Sequence, residues 1–180
     1  FDKIDMNHQG VMVEAEPFNY KDLSDLSNYQ RLIILDQIED PHNLGAIIRS
    51  AESFGFDGVI IPERRSASVS PIVYKTSAGA INNINVIMVK NINRSIEEIK
   101  EAGFWVYGLA GEASSPIDKT DLKGKVCLVV GNEGKGLSRL VRENCDILIN
   151  IPMKGFVNSL NASVASAIAM YEVLRQNGFS

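Results

Sequence analysis

The stretch RLIILDQIEDPHNLGAIIRSAESFGFDGVII, Arg31–Ile61, decides the fold class. Leu32-Ile33-Ile34-Leu35 is a short unbroken apolar run, the pattern of a strand buried on both faces of a parallel sheet. A polar turn, Asp36–His42, follows it. From Leu44 to Phe54, Leu44, Ile47, Ile48 and Ala51 recur at helical spacing. Asn43, just after Pro41, is the expected N-cap of that helix, and Gly55 its terminator. Gly58–Ile61 then returns as a second apolar strand. A strand–helix–strand unit of this kind crosses over with a right hand and builds a parallel sheet clad in helices.

The same alternation runs on through the chain. Strands are expected at Asn85–Val89, Phe104–Leu109, Val126–Val130 and Ile147–Ile149. Helices are expected at Val73–Ala80, Ser95–Ala102, Leu137–Asn144 and Asn161–Gln176. Ser95 with Glu98 fits a capping box, and the last helix carries Val164, Ile168, Tyr171 and Leu174 on one stripe. Pro62–Pro71, with Arg64 and Arg65, and Ala110–Gly124 read as loops. Residues 1–30 read as a lead-in, with a short strand near Val11–Val13 and a helical turn at Lys21–Leu26. Residues 31–180 then form one α/β domain with a parallel sheet and helices on both faces.

Composition bounds the function. The chain has 180 residues, 45% hydrophobic and 22% charged, with a mean hydropathy of −0.01. That is neither a disordered nor a membrane composition, and no apolar run reaches the ~18 residues of a spanning helix. Eighteen basic against 22 acidic residues leave a net charge of −4, which argues against a purely electrostatic nucleic-acid binder but leaves room for a local basic patch. Cys127 and Cys145 are the only cysteines, and His8 and His42 the only histidines. A structural zinc site is close to excluded, so no metal is expected. Two lone cysteines suit a reducing cytosol. The chain begins at Phe1 rather than Met, the start expected of a fragment or a processed form.

In such a sheet, ligands bind beyond the carboxyl ends of the strands, and three segments there carry chemistry. In the first, Asp36–Arg49, Asn43 stands at the mouth of the helix and Arg49 six positions further on. Arg49 offers a charged fork suited to phosphate; the plainer reading makes Asn43 a cap and Arg49 a surface charge. His42 is a general base by residue type, yet a lone His beside Pro in a turn is more often structural. The second segment, Val130–Ser138 (VGNEGKGLS), fails both the P-loop and the dinucleotide glycine patterns. Its embedded Glu133 repels a triphosphate and suits a ribose hydroxyl or an amine. It is either a ligand loop that is no polyphosphate cradle or a tight structural turn. In the third, Ile151–Ala165, Ser159, Asn161 and Ser163 exceed what capping needs. Ser159 lacks a nearby base and is a poor nucleophile. Ile151, Met153 and Leu160 offer an apolar bed for a purine or a thioether.

Together, DPHNLGAIIRSAESFG (Asp40–Gly55), LVVGNEGKGLS (Leu128–Ser138) and INIPMKGFVNSLNASVA (Ile149–Ala165) resemble the SpoU (TrmH-type) RNA ribose 2′-O-methyltransferases of the SPOUT superfamily. HQGV, His8–Val11, resembles the linker of the 23S rRNA guanosine branch, where it follows a small RNA-binding domain. The resemblance implies an α/β fold with a C-terminal deep trefoil knot, S-adenosylmethionine as cofactor and a homodimer. It implies cofactor contacts at Gly131, Ile151 and Leu160, with Gly111, Gly134 and Met153 nearby. It places the functional roles on Asn43, Arg49, Glu133, Ser159 and Asn161, with Arg49 acting either in its own subunit's site or across the dimer in the partner's. The implied substrate is RNA, 23S rRNA or alternatively tRNA; a non-catalytic cofactor- or RNA-binding factor is the competing class. On that reading the cations facing RNA are Arg49, Arg64, Arg65 and Lys154, with Arg139 and Arg142.

Overall fold

A computed structural model describes residues 16–180. Its strands are β1 (Arg31–Asp36), β2 (Gly58–Pro62), β3 (Asn85–Val89), β4 (Trp105–Leu109), β5 (Ser115–Pro116), β6 (Val126–Gly131) and β7 (Ile147–Asn150). They form a seven-stranded sheet in the order β3-β2-β1-β6-β4-β7-β5, with every pairing parallel. The helices are α1 (Pro41–Ser53), α2 (Pro71–Thr76), α3 (Ile92–Glu101), α4 (Arg139–Asn144) and α5 (Ala162–Asn177).

The unbroken apolar runs have the expected cause. In β1, Ile33 and Leu35 face one core while Leu32 and Ile34 face another. β6 repeats the division, with Val126, Leu128 and Val130 on the first side and Cys127 and Val129 on the second. The first core is closed by α1 (Leu44, Ile47, Ile48, Ala51) and α5 (Ala169, Met170, Val173). The second is closed by α3 (Ile92, Ile96, Ile99) and by Val141 of α4. Helices on both faces leave the central strands without a wet side, so alternation is replaced by continuous hydrophobicity.

Several local readings are corrected. The N-cap of α1 is Asp40, whose carboxylate accepts from the His42 amide; Pro41 takes the first helical position, where its missing N–H costs nothing. Asn43 therefore lies inside the helix, buried, with its side chain free for other work. Likewise Asn91 caps α3, and Ser95 donates its hydroxyl back to the Asn91 carbonyl rather than capping. The expected helix at Val73–Ala80 is α2, which starts and stops earlier, followed by a 3-10 turn at Ala80–Asn82. The expected loop Ala110–Gly124 contains β5, which pairs with β7 at the sheet's edge. The expected helical turn at Lys21–Leu26 falls later, as a 3-10 turn at Leu26–Asn28, while Lys21 bridges to Ile87 beside β3. The strand expected near Val11–Val13, and the linker-like His8–Val11, lie outside the described residues.

On α5 the stripe Val164, Ile168, Tyr171 points outward, at 46%, 40% and 47% exposure. The face turned to the sheet is Ala162, Ser166, Ala169, Met170 and Val173. Small side chains let this helix lie close to its neighbours.

Candidate functional site: a cavity at the carboxyl ends of β4, β6 and β7

Three loops leave the same edge of the sheet and enclose one cavity of about 440 Å³, within the usual range for small-molecule sites. The loop after β4 supplies Gly111 and Glu112. The loop after β6 supplies Gly131–Leu137. The segment after β7 supplies Ile151, Met153 and Asn158–Leu160. All six residues expected at a cofactor (Gly111, Gly131, Gly134, Ile151, Met153 and Leu160) line this cavity, as do Glu133 and Ser159.

The glycine loop is a closed curl. Asn132 and Gly136 pair across it as an antiparallel bridge, and the Asn132 side chain accepts from the Gly134 and Lys135 amides. A Cβ on Gly131 would stand 2.3–2.4 Å from the backbone of Gly136 and Leu137, so only glycine fits. Two anchors fix the curl to β1. The buried Asp36 carboxylate accepts from the Ser138 amide at 2.7 Å, and Asn132 Nδ2 donates to the Gln37 carbonyl. Neither Asp36 nor Asn132 was singled out from the sequence. A carboxylate ending an otherwise apolar buried strand was the available signal for Asp36.

Beside the curl, side chains from all three segments meet. Asn43 Nδ2 donates to Glu133 Oε1. Asn161 Nδ2 bridges Glu133 Oε1 at 3.1 Å and Asn43 Oδ1 at 3.2 Å, and the Ala162 amide also points to Glu133 Oε1 at 3.4 Å. Asn161 Oδ1 meanwhile caps α5, accepting from the Ser163 and Val164 amides. One carboxylate oxygen thus binds α1, the glycine loop and the start of α5 together. A smaller cavity, about 260 Å³, opens on the far side of this cluster between Asn43, Glu133 and Ile38–Asp40.

Arg49 is not brought there. It is exposed on α1 and lines neither cavity. Where the end of α1 meets α5, Phe54 lies edge-on to Tyr171 at 5.7 Å between ring centroids, and Tyr171 meets Phe179 at 6.3 Å. Of the other cations expected to face RNA, Arg139 is paired with Glu143 and Arg142 with Glu112. Arg49, Arg64, Arg65 and Lys154 make no ion pair among the described residues. No cluster of metal-ligating side chains occurs among the described residues.

A parallel α/β sheet with a small-molecule cavity built from a glycine curl and two flanking loops defines a ligand-binding α/β domain. Residues 30–171 match the model of the SpoU rRNA Methylase family, and the chain belongs to that family. It is 46% identical over 180 residues to a Synechocystis protein named an uncharacterized tRNA/rRNA methyltransferase, covering 96% of this chain and 47% of that one. It is also 46% identical, over 182 residues, to a Staphylococcus saprophyticus protein named for the TrmH family of tRNA/rRNA methyltransferases (97% and 73% covered). Among solved structures, the SpoU methyltransferase AviRb of Streptomyces viridochromogenes, in complex with AdoMet, superposes with a TM-score of 0.75 at 30% identity, covering 82% of this chain and 61% of that one. The chain thus spans about half the length of the Synechocystis relative.

Proposed function

We propose that the chain is an RNA methyltransferase that binds S-adenosylmethionine in the 440 Å³ cavity and methylates a ribose 2′-hydroxyl, most specifically of a guanosine in 23S rRNA. The observation that carries this reading is the convergence of Asn43, Glu133 and Asn161 at the cavity's edge. Three amide and carboxylate groups locked this tightly, with the Glu133 carboxylate set inside the glycine loop, suit a hydroxyl-bearing substrate better than a polyphosphate. The residues present fit the cofactor. Ile151, Met153 and Leu160 give an apolar bed, and the glycine curl lets backbone approach where a Cβ would not fit. The bound cofactor supplies an electrophilic methyl group on a sulfonium.

The chain must then orient a weak nucleophile and steady the charge that develops on its oxygen. Glu133 fixes the Asn43 and Asn161 amides, so their remaining polar atoms present the nucleotide with a preorganised surface. Ser159, on the cavity wall, completes the pocket with a hydroxyl. Arg49 acts from the partner subunit of a homodimer. In its own chain it is exposed on α1, a helix packed against α5, and a second copy docked on the exposed apolar face of α5 would bring its own α1 and Arg49 to the interface. There its guanidinium clamps the RNA phosphate and stabilises the alkoxide; a guanidinium stays charged in proteins and is no base, and the phosphate or a water takes the proton. The segment after β7 packs near Gly111, where the Asn158 carbonyl would stand 3.8 Å from an added Cβ; this closeness supports the threaded, knotted path that the family resemblance implies.

Mapping ribose methylation by mass spectrometry on rRNA and tRNA, from cells with and without the gene, tests the assignment. Loss of one 2′-O-methylguanosine from 23S rRNA is expected. Loss from tRNA alone moves the substrate to tRNA, and an unchanged map overturns the reading.

A further inference from the structure

The cavity wall carries one charge couple that the proposed chemistry leaves unused. Glu112, in the loop after β4, and Arg142, in the last turn of α4, both line the cavity and are paired with one another. They come from elements 30 positions apart in sequence. Neither side chain has another hydrogen-bond partner among the described residues, so most of the guanidinium's five donors are uncommitted. Glu133, by contrast, is already taken up by Asn43, Asn161 and the Ala162 amide.

The couple is also held in place from behind. Asn150 Nδ2 donates to the Ala113 carbonyl, and the Ala113 amide donates to the Ala110 carbonyl. These bonds tie the Glu112 loop to the end of β7. Arg142 rides on α4, whose Val141 is buried in the second core. Arg139, one turn earlier on the same helix, is 87% exposed, pairs along its own helix and lines no part of the cavity. Arg142 alone on that helix reaches across.

An acid and a forked base side by side on a cavity wall are complementary to a zwitterion, in which an ammonium and a carboxylate share one carbon. The proposed cofactor ends in such a group. We infer that Glu112 and Arg142 receive the amino-acid end of S-adenosylmethionine, Arg142 taking the α-carboxylate and Glu112 the α-ammonium. This rests on the cofactor reading above and adds to it a binding role for two residues. Without ligand, the two side chains neutralise each other, which keeps the open cavity from carrying an unpaired charge. With ligand, each exchanges its partner for an opposite charge of the same kind, so nothing is left unpaired in either state. The rest of the ligand, adenosine and thioether, is left to the apolar bed and the backbone.

Two ligands separate this clamp from a mere strut. Adenosylhomocysteine and methylthioadenosine share the adenosine and a neutral thioether; only the first has the amino-acid end. Calorimetric titration of the 180-residue chain with both should show the wild type preferring adenosylhomocysteine. Glu112→Gln and Arg142→Met should each lose roughly 10- to 100-fold in affinity for adenosylhomocysteine, the range for a lost charge-assisted hydrogen bond. Their affinity for methylthioadenosine should stay within about twofold, which also shows that the variants fold. The charge-swapped double variant, Glu112→Arg with Arg142→Glu, keeps a bridge but misplaces both charges, and it should not recover adenosylhomocysteine binding. Equal loss of both ligands, unchanged binding in the single variants, or recovery in the swap would overturn the clamp and leave the cofactor reading standing. Equal affinity of the wild type for the two ligands would do the same. A wild type that binds neither would overturn both.

Discussion

Asn43 shows how much a single position can hide. Its side chain crosses from α1 to the glycine loop and meets a carboxylate 90 positions away in sequence. From the sequence it reads as a helix cap, because Asn after Pro at a strand's end suits that task. The structure gives the cap to Asp40 and so releases Asn43. Which of two polar residues three positions apart caps a helix depends on where the first turn closes, and helix ends are where sequence patterns are weakest. Glu133 and Asn161 were legible as candidates from residue type, but their bond to one another was not, since it depends on how three loops stack. Arg49 carries a sharper test. Arg49→Lys keeps the charge and loses the planar fork. If Arg49 holds a phosphate and an alkoxide through directed bonds, single-turnover methyl transfer should fall by roughly 10²–10³, with cofactor affinity unchanged. Wild-type rates would return it to an ordinary surface charge. The cysteines offer a test of the core itself. Burial pushes the Cys145 thiol up to about 12 and raises the fully buried Cys127 as well. The thiolate is the reactive form, so at pH 8 only about one Cys145 in ten thousand is ionised. Iodoacetamide at pH 8 should leave both thiols intact in the native chain and modify both after unfolding, with the native rate climbing as pH rises. Prompt native alkylation at pH 8 would contradict the packing around Cys145.

At the scale of elements, β1, β2, β3, β4 and β6 follow the expected spans to within a residue or so, because a strand buried on both faces writes an unmistakable apolar run. The two-residue strand β5 was not legible; Ser115-Pro116 has no apolar pattern and is ordered only by lying beside β7. The stripe on α5 was legible as a stripe but not in its direction. Both sides of that helix are apolar, one through Ala and Met, the other through Val164, Ile168 and Tyr171. Periodicity alone does not say which side meets its own sheet. Small residues allow the closer approach, and they win the inward face. The larger ones remain outside with Phe179, Tyr171 resting edge-on against the half-buried Phe54, an apolar surface that a second subunit would cover. Ile168→Glu places a charge in the middle of it. Sedimentation of the wild type should show a dimer, and the variant should weaken it at least ~100-fold, since a buried unpaired charge costs several kcal/mol. The melting temperature of the variant's monomer should change little, because position 168 faces away from the core. An unaltered dimer would place the subunit contact elsewhere.

Across the whole molecule, seven parallel strands bring three distant segments to one edge. The ends of β1, β6, β4 and β7 are neighbours in the sheet though scattered in the chain, and that adjacency turns the segments into one site. With a net charge of −4, the proposed RNA contact would fall to a few local cations, Arg49, Arg64, Arg65 and Lys154, once Arg139 and Arg142 are spent in ion pairs. The proposed function makes this edge the place where a methyl group passes to a ribose hydroxyl. Its most direct measurement is incubation of the chain with methyl-deuterated S-adenosylmethionine and unmodified 23S rRNA or tRNA transcripts, followed by nucleoside mass spectrometry. A three-deuterium label is expected on the ribose of a 2′-O-methylnucleoside, abolished by Asn43→Ala and by Arg49→Ala. Label on a nucleobase, or none on either RNA from a chain that binds the cofactor, would contradict it.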